Sequence, residues 1–213
     1  MGITQPDNLE VSLATVMSEV INEKEINPTE GIIHHSEGVD LMPSNNSLAG
    51  MEIALAPLIG RETILRQYIE MVKPLYDYCL IDTAPTLDLL TVNALAAANS
   101  VIIPVCPKYL DAKGLELLLK SIAQIRKAIN PNLAISGILL TMVDRRTIFT
   151  RDIISLVESA YGDKIRIFVE HVPHSIRAAE STAQGISIYA HDPNGKVAAA
   201  YEALTREVLS DVA

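Results

Sequence analysis

The sequence predicts an α/β fold, a mostly parallel sheet with helices on both faces, and three observations carry that expectation. Apolar runs of strand length alternate with helical stretches, the pattern of successive strand–helix–strand units. The chain is 49% hydrophobic but only 4% aromatic, with no Trp, so its core is aliphatic and suits strands buried on both faces. Its 213 residues are enough for one such domain. No internal repeat, low-complexity segment or linker divides them, and 1–213 is read as a single domain.

The elements follow in order. Pro6-Asp7-Asn8 is a turn. Ser12 is placed to cap a helix from Leu13 to Ile21. Asn27-Pro28-Thr29-Glu30-Gly31 breaks the chain. Val39 to Pro43 reads as a short strand, and Ser44-Asn45-Asn46-Ser47 as a loop before a helix from Leu48 to Leu55. A further helix runs from Glu62 to Val72 and stops before Pro74. Tyr76-Asp77-Tyr78-Cys79-Leu80-Ile81-Asp82 reads as a strand ending on a carboxylate, with Thr83-Ala84-Pro85-Thr86 as a tight loop and Leu89 to Ala98 as helix. Ser100 to Val105 is the next strand. A long helix from Asp111 to Ile129 ends at Asn130-Pro131. Ala134 to Met142 is strand, Phe149 to Ala160 helix, Ile165 to Val169 strand, Ile176 to Gln184 a short helix, and Lys196 to Val212 the terminal helix.

Charge and composition exclude several classes. The formal net charge is -9. Residues 1–60 hold nine acidic side chains and only Lys24, a balance of -8; residues 61–213 hold 17 acidic and 16 basic, a balance of -1. A net negative chain needs a local basic patch to hold nucleic acid. Cys79 and Cys106 lie in apolar runs without metal-type spacing and read as buried core thiols. The acidic, polar first 20 residues do not resemble a signal peptide, and no apolar run approaches the ~20 residues that span a bilayer.

Ligands in such sheets sit at the carboxyl ends of the strands. Asp82 stands at such an end, where a carboxylate holds Mg²⁺, directly or through water, beside nucleotide phosphates: the Walker B arrangement. An Asp after a strand is equally an ordinary helix N-cap. The surrounding residues favour the first reading. Asp82-Thr83-Ala84-Pro85 with Leu90-Thr91-Val92-Asn93-Ala94-Leu95 resembles the Walker B segment of the ParA/Soj partitioning ATPases, a deviant Walker branch of the P-loop NTPases. Ile103-Pro104-Val105, Tyr109 to Glu116, Gly137 to Thr147, Val172 to Glu180 and His191-Asp192-Pro193 resemble later segments of that family, in family order.

The resemblance implies ATP and Mg as cofactors, an ATP-driven homodimer, non-specific DNA and a ParB-type protein as partners, and a cytoplasmic, nucleoid-associated protein. It implies that Asp82 organises Mg²⁺ and that Thr141, Met142, Asp144, Pro173 and His174 line the nucleotide-base side. Arg146 and Arg177 fall where relatives hold DNA. Residues 145–177 carry six basic and four acidic side chains, a local +2 that fits phosphate contact as well as it fits a solvated charged surface.

One departure is marked. A phosphate-binding loop needs closely spaced glycines, a Lys and a Ser or Thr. This sequence has no Gly-Gly pair, and its one Gly-Lys, Gly195-Lys196, precedes Val197. Met1-Gly2-Ile3-Thr4 resembles the stretch after the family's second strand. The expectation is a ParA-like domain whose first strands and Walker A loop are missing, so that its enzyme activity is uncertain. A non-catalytic remnant or partner-binding fragment is the alternative. A MinD-like positioning ATPase would use a membrane-binding terminal helix; here Lys196, Glu202, Arg206, Glu207 and Asp211 sum to -1, which fits a helix packed on the sheet rather than on a membrane. The five histidines fit no zinc spacing.

Overall fold

The computed structural model describes residues 2, 3 and 5–210, without the side chains of residues 110–112. The chain falls into two compact units: Ile3–Asn99 with Ser121–Leu133, and Met1–Gly2 with Ser100–Lys120 and Ala134–Ala213.

The first unit is largely helical. Helix α1 (Leu13–Ile21) starts at Ser12, whose backbone N–H donates to Thr15 Oγ1 at 3.2 Å. It buries Ala14, Val16, Met17 and Val20, one apolar stripe at helical spacing. Strands β1 (Ile33–His34) and β2 (Asp40–Leu41) form a short antiparallel ribbon. Helix α2 (Ser47–Leu55) buries Met51 and Leu55. Helix α3 (Ile64–Val72) buries Ile64, Leu65, Tyr68 and Val72. Helix α4 (Leu89–Ala97) follows Asp88, whose carboxylate accepts from the Thr91 N–H at 2.8 Å. Together these faces make one aliphatic core.

Two buried amides tie this unit together. The Asn93 carbonyl accepts from the Leu65 N–H at 3.1 Å, and its amide donates to Arg61 O at 2.8 Å and Leu89 O at 3.0 Å. The Asn130 amide donates to the Leu95, Ala96 and Ala98 carbonyls. It thereby satisfies the acceptors that a helix C-terminus leaves without partners.

The expected strand Tyr76–Asp82 is not a strand. Residues 78–84 have no regular secondary structure and lie outside any ladder, and Leu80 is 93% exposed. An apolar extended run becomes a strand only where a neighbouring strand supplies hydrogen-bond partners, and among the described residues none pairs with this one. Cys79 is exposed for the same reason and Cys106 is half-buried, so neither is the buried core thiol that the sequence led us to expect.

The second unit is built on strands β3 (Ser100–Val105) and β4 (Ala134–Leu140), which pair in parallel with a register irregularity between Val101 and Ile102. Helix α5 (Tyr109–Ala128) connects them, its residues from Ser121 onward belonging to the first unit. The expected strand Ile165–Val169 is reduced to a single parallel bridge, Ile138 with Ile167, and a second isolated bridge, Val143 with Pro173, follows beyond it. Pro173 has no N–H to extend a ladder. Helix α6 (Ile148–Tyr161) is capped by Thr147, and α7 (Ile176–Gln184) by Ser175. After the short α8 (Ile188–His191), helix α9 (Lys196–Leu209) closes the described chain; Val212, where the sequence placed its end, lies outside the described residues. Helix α9 sets Val197 and Leu204 against Leu139, Phe168 and Val172, which agrees with a helix packed on the sheet. Among the described residues no helix is long and apolar enough to cross a membrane.

Candidate functional site

In the first unit, Asp82 is exposed in the irregular segment that leads to α4. It lines a cavity of about 360 Å³ with Ser44, Thr83 and Asp88, over an apolar floor that includes Met17 and Leu65. The N-cap alternative falls away, because the cap of α4 is Asp88. Capping engages the Asp88 carboxylate fully. Thr86 Oγ1 donates to it at 2.5 Å and, with the α4 N–H groups, holds its carboxyl below the usual range. Asp82 makes no such bond among the described residues, which leaves its carboxylate available. No group of three or more His, Cys, Asp or Glu side chains suited to a metal occurs among the described residues. A single carboxylate is nevertheless the usual protein share of a Mg²⁺ site whose other ligands are phosphates and waters.

In the second unit the residues after β4 converge. The Thr141 N–H donates to Val105 O at 2.9 Å, and its hydroxyl lies 3.7 Å from Cys106 Sγ. Met142 follows with φ 53° and is exposed. A left-handed conformation is uncommon for a residue with a side chain; here it turns the chain so that Val143 can bond to the neighbouring segment. The Val143 N–H donates to Val172 O at 3.0 Å, and the His174 N–H donates to Val143 O at 3.2 Å. That pairing sets Pro173 and His174 beside the loop carrying Asp144 and Arg146.

The result is an open cleft of about 580 Å³ lined by Arg146, His174, Ser175, Ile176, Arg177 and Glu180. Three of the residues singled out in the sequence, Arg146, His174 and Arg177, therefore meet in one place. Asp144 joins them through Arg146, whose Nε and Nη2 donate to its two carboxylate oxygens at 2.8 and 2.7 Å, with the Arg146 N–H adding a third bond at 3.1 Å. This fork holds the Asp144 carboxyl down at about 2. Thr141 and Met142 lie on the same strand end but do not line the cleft. Asp82 belongs to the other unit.

Two participants escaped the sequence reading. Glu180 Oε2 accepts from Arg177 Nη1 and lies 3.2 Å from His191 Nε2. Both partners lower its carboxyl below the usual range, His191 more than Arg177. Arg177 and Glu180 stand three apart on one helix, a spacing that brings side chains together. His191 reaches Glu180 only through the chain reversal at α8. Ser175 caps α7, its hydroxyl accepting from the Arg177 N–H at 3.2 Å, so a helix N-terminus with its partial positive charge opens onto the cleft.

The Asp144–Arg146 pair has a pH signature. A carboxyl whose folded value is depressed contributes stability that is present above its ordinary value of 3.8 and lost as pH falls through about 2. In Arg146→Ala the Asp144 carboxyl is expected to titrate higher than in the native chain, though still below its ordinary value, because the backbone N–H of residue 146 continues to donate to it. Carboxyl-carbon NMR titration of both proteins checks this; an unchanged midpoint would mean that the fork does not set the value.

The AAA domain family model matches residues 1–135 of the chain. The sporulation initiation inhibitor protein Soj of Bacillus subtilis (strain 168) is 40% identical over 175 residues, covering 82% of this chain and 68% of that protein. The crystal structure of cobyrinic acid a,c-diamide synthase from Mycobacterium smegmatis with bound ADP and magnesium superposes with a TM-score of 0.72 at 31% identity, covering 80% of this chain and 66% of the other. A plasmid partition protein from Borrelia burgdorferi B31 shares the fold, with a TM-score of 0.69 at 20% identity over 93% of this chain and 81% of the other. The chain spans about two thirds of the length of the first two proteins.

Proposed function

The chain belongs to the Soj/ParA branch of the AAA-domain family, and from that premise we propose that it acts in DNA partitioning by holding the DNA backbone in the cleft of Arg146 and Arg177. The observation that carries this reading is the meeting of the two arginines with His174 at the N-terminus of α7. Guanidinium groups and free helical N–H groups bind phosphate oxygens without reading sequence. We place Thr141, Met142, Asp144, Pro173 and His174 on the nucleotide-base side of the family's ATP site. Asp82 would hold Mg²⁺, which supplies charge neutralisation between the phosphates of ATP. A homodimer, a ParB-type partner and a nucleoid-associated place in the cytoplasm complete the proposal.

These 213 residues contain no glycine-rich phosphate loop with its Lys and Ser or Thr. That observation supports a second reading, in which the chain binds partners without catalysis. The two readings agree on ATP: phosphate release from Mg-ATP is expected to stay at background, with or without DNA, because the phosphate contacts and the lysine that stabilise the transferring group have no counterpart here. Turnover that disappears in Asp82→Ala would overturn that expectation. They differ on DNA. Binding of a mixed-sequence duplex across a salt series should show a log–log slope that flattens by roughly one unit in Arg146→Ala and again in Arg177→Ala. Unchanged slopes in both variants would return the arginines to an ordinary solvated surface and leave the partner-binding reading.

A further inference from the structure

The cleft that carries two arginines has no net charge of its own. Arg146 and Arg177 contribute two positive charges, and Asp144 and Glu180, bonded to them, contribute two negative ones. A receptor of formal charge zero attracts a polyanion poorly unless its carboxylates give way. We propose that Asp144 and Glu180 mask the cleft, each occupying the arginine that would otherwise hold a backbone phosphate, so that DNA binds by displacing both carboxylates. This rests on the reading of the cleft as the DNA site.

The geometry supports displacement rather than permanent pairing. The Arg146 fork is filled on two nitrogens by Asp144, the same bidentate mode in which arginine takes a phosphate, so the two anions compete for one surface. The Arg146 side chain is 88% exposed and that of Arg177 64%. The single-contact Arg177–Glu180 pair is of the weak exposed kind; the Arg146 fork is better formed, but its guanidinium stays in solvent, so both pairs can exchange partners without unfolding anything. Glu180 has a second partner ready: His191, whose side chain is only 11% exposed, lies 3.2 Å from the same oxygen that receives Arg177. When Arg177 turns to a phosphate, Glu180 keeps that contact. Asp144 keeps the Arg146 backbone N–H as a donor when the guanidinium leaves.

The masks act in opposition to their arginines, and that sets the test. In the intact chain, Asp144→Asn and Glu180→Gln should each tighten binding of a mixed-sequence duplex by about two- to fivefold, the size of an exposed ion pair. Arg146→Ala should cost more affinity in the Asp144→Asn background than in the native chain, because the mask no longer discounts the arginine; this double-mutant cycle isolates the pair. If Asp144→Asn weakens binding as Arg146→Ala does, Asp144 aims the guanidinium at the phosphate and the masking proposal is overturned. It is equally overturned if neither carboxylate variant changes affinity. Tripolyphosphate, which offers the same charges without a duplex, separates this proposal from the one beneath it. Tighter tripolyphosphate binding in Asp144→Asn, with duplex binding indifferent to Arg146→Ala and Arg177→Ala, would uphold the mask and overturn the DNA reading. Circular dichroism melts of each variant exclude loss of fold as the cause.

Discussion

Asn93→Leu is expected to destabilise the chain by about 3 kcal/mol, measured as a shift of the urea midpoint at unchanged slope. Asn93 is fully buried, and its amide joins α4 to both the start of α3 and the carbonyl of Arg61. Leucine keeps the number and branching of the side-chain heavy atoms, so the substitution creates no cavity, and its bulkier methyl groups add some overpacking at this fully buried site. It leaves the Leu65 N–H and the Arg61 carbonyl without their partner in an apolar setting, and each orphaned group costs roughly 1–3 kcal/mol. Because α4 follows the Asp82 loop directly, loss of this lock should also loosen the cavity beside Asp82. A shift below about 1 kcal/mol would show that water reaches the two groups and takes the amide's place.

Phe168→Ala is expected to cost more, about 3–5 kcal/mol. The ring is completely buried against Leu139, Val172, Val197 and Leu204, with the Arg166 guanidinium 5.1 Å from its centroid. Room for it exists only because residue 137 is glycine: a Cβ there would lie 2.9 Å from the ring and 3.0 Å from Arg166 O. Removing the ring leaves a cavity that a paired β4 cannot collapse to fill. Gly137→Ala should be destabilising in the native chain and less so alongside Phe168→Ala, since the space it needs is then open. Thermal unfolding of the two single variants and the double variant tests both statements; strictly additive effects would mean that the ring and the glycine do not share the space.

The family and the fold class were legible in the sequence because they live in local pattern. Helices α1 and α7 begin and end where their caps and stripes predict, since Ser12 and Ser175 terminate helices by bonds within one turn. Strands β3 and β4 were equally plain. The segment from Tyr76 to Asp82 looked as good, with the same apolar character, yet it forms no ladder. Propensity describes what a strand would bury, whereas pairing depends on a neighbour that no local residue specifies. Cys79 was misplaced with it.

At the candidate site the division has the same physical origin. Composition and local pattern alone assigned which side chains carry charge, where Asp82 stands in the chain and which loop bears Arg146. That Arg146, His174 and Arg177 share a cleft follows from the fold alone, because the bonds from Val143 to Val172 and His174 join segments some thirty residues apart. The fold also decided that the cleft arginines are already occupied. A +2 balance over residues 145–177 counts Asp144 outside its window and omits Glu180, whereas charges act over a few ångströms of space, whatever their separation along the chain.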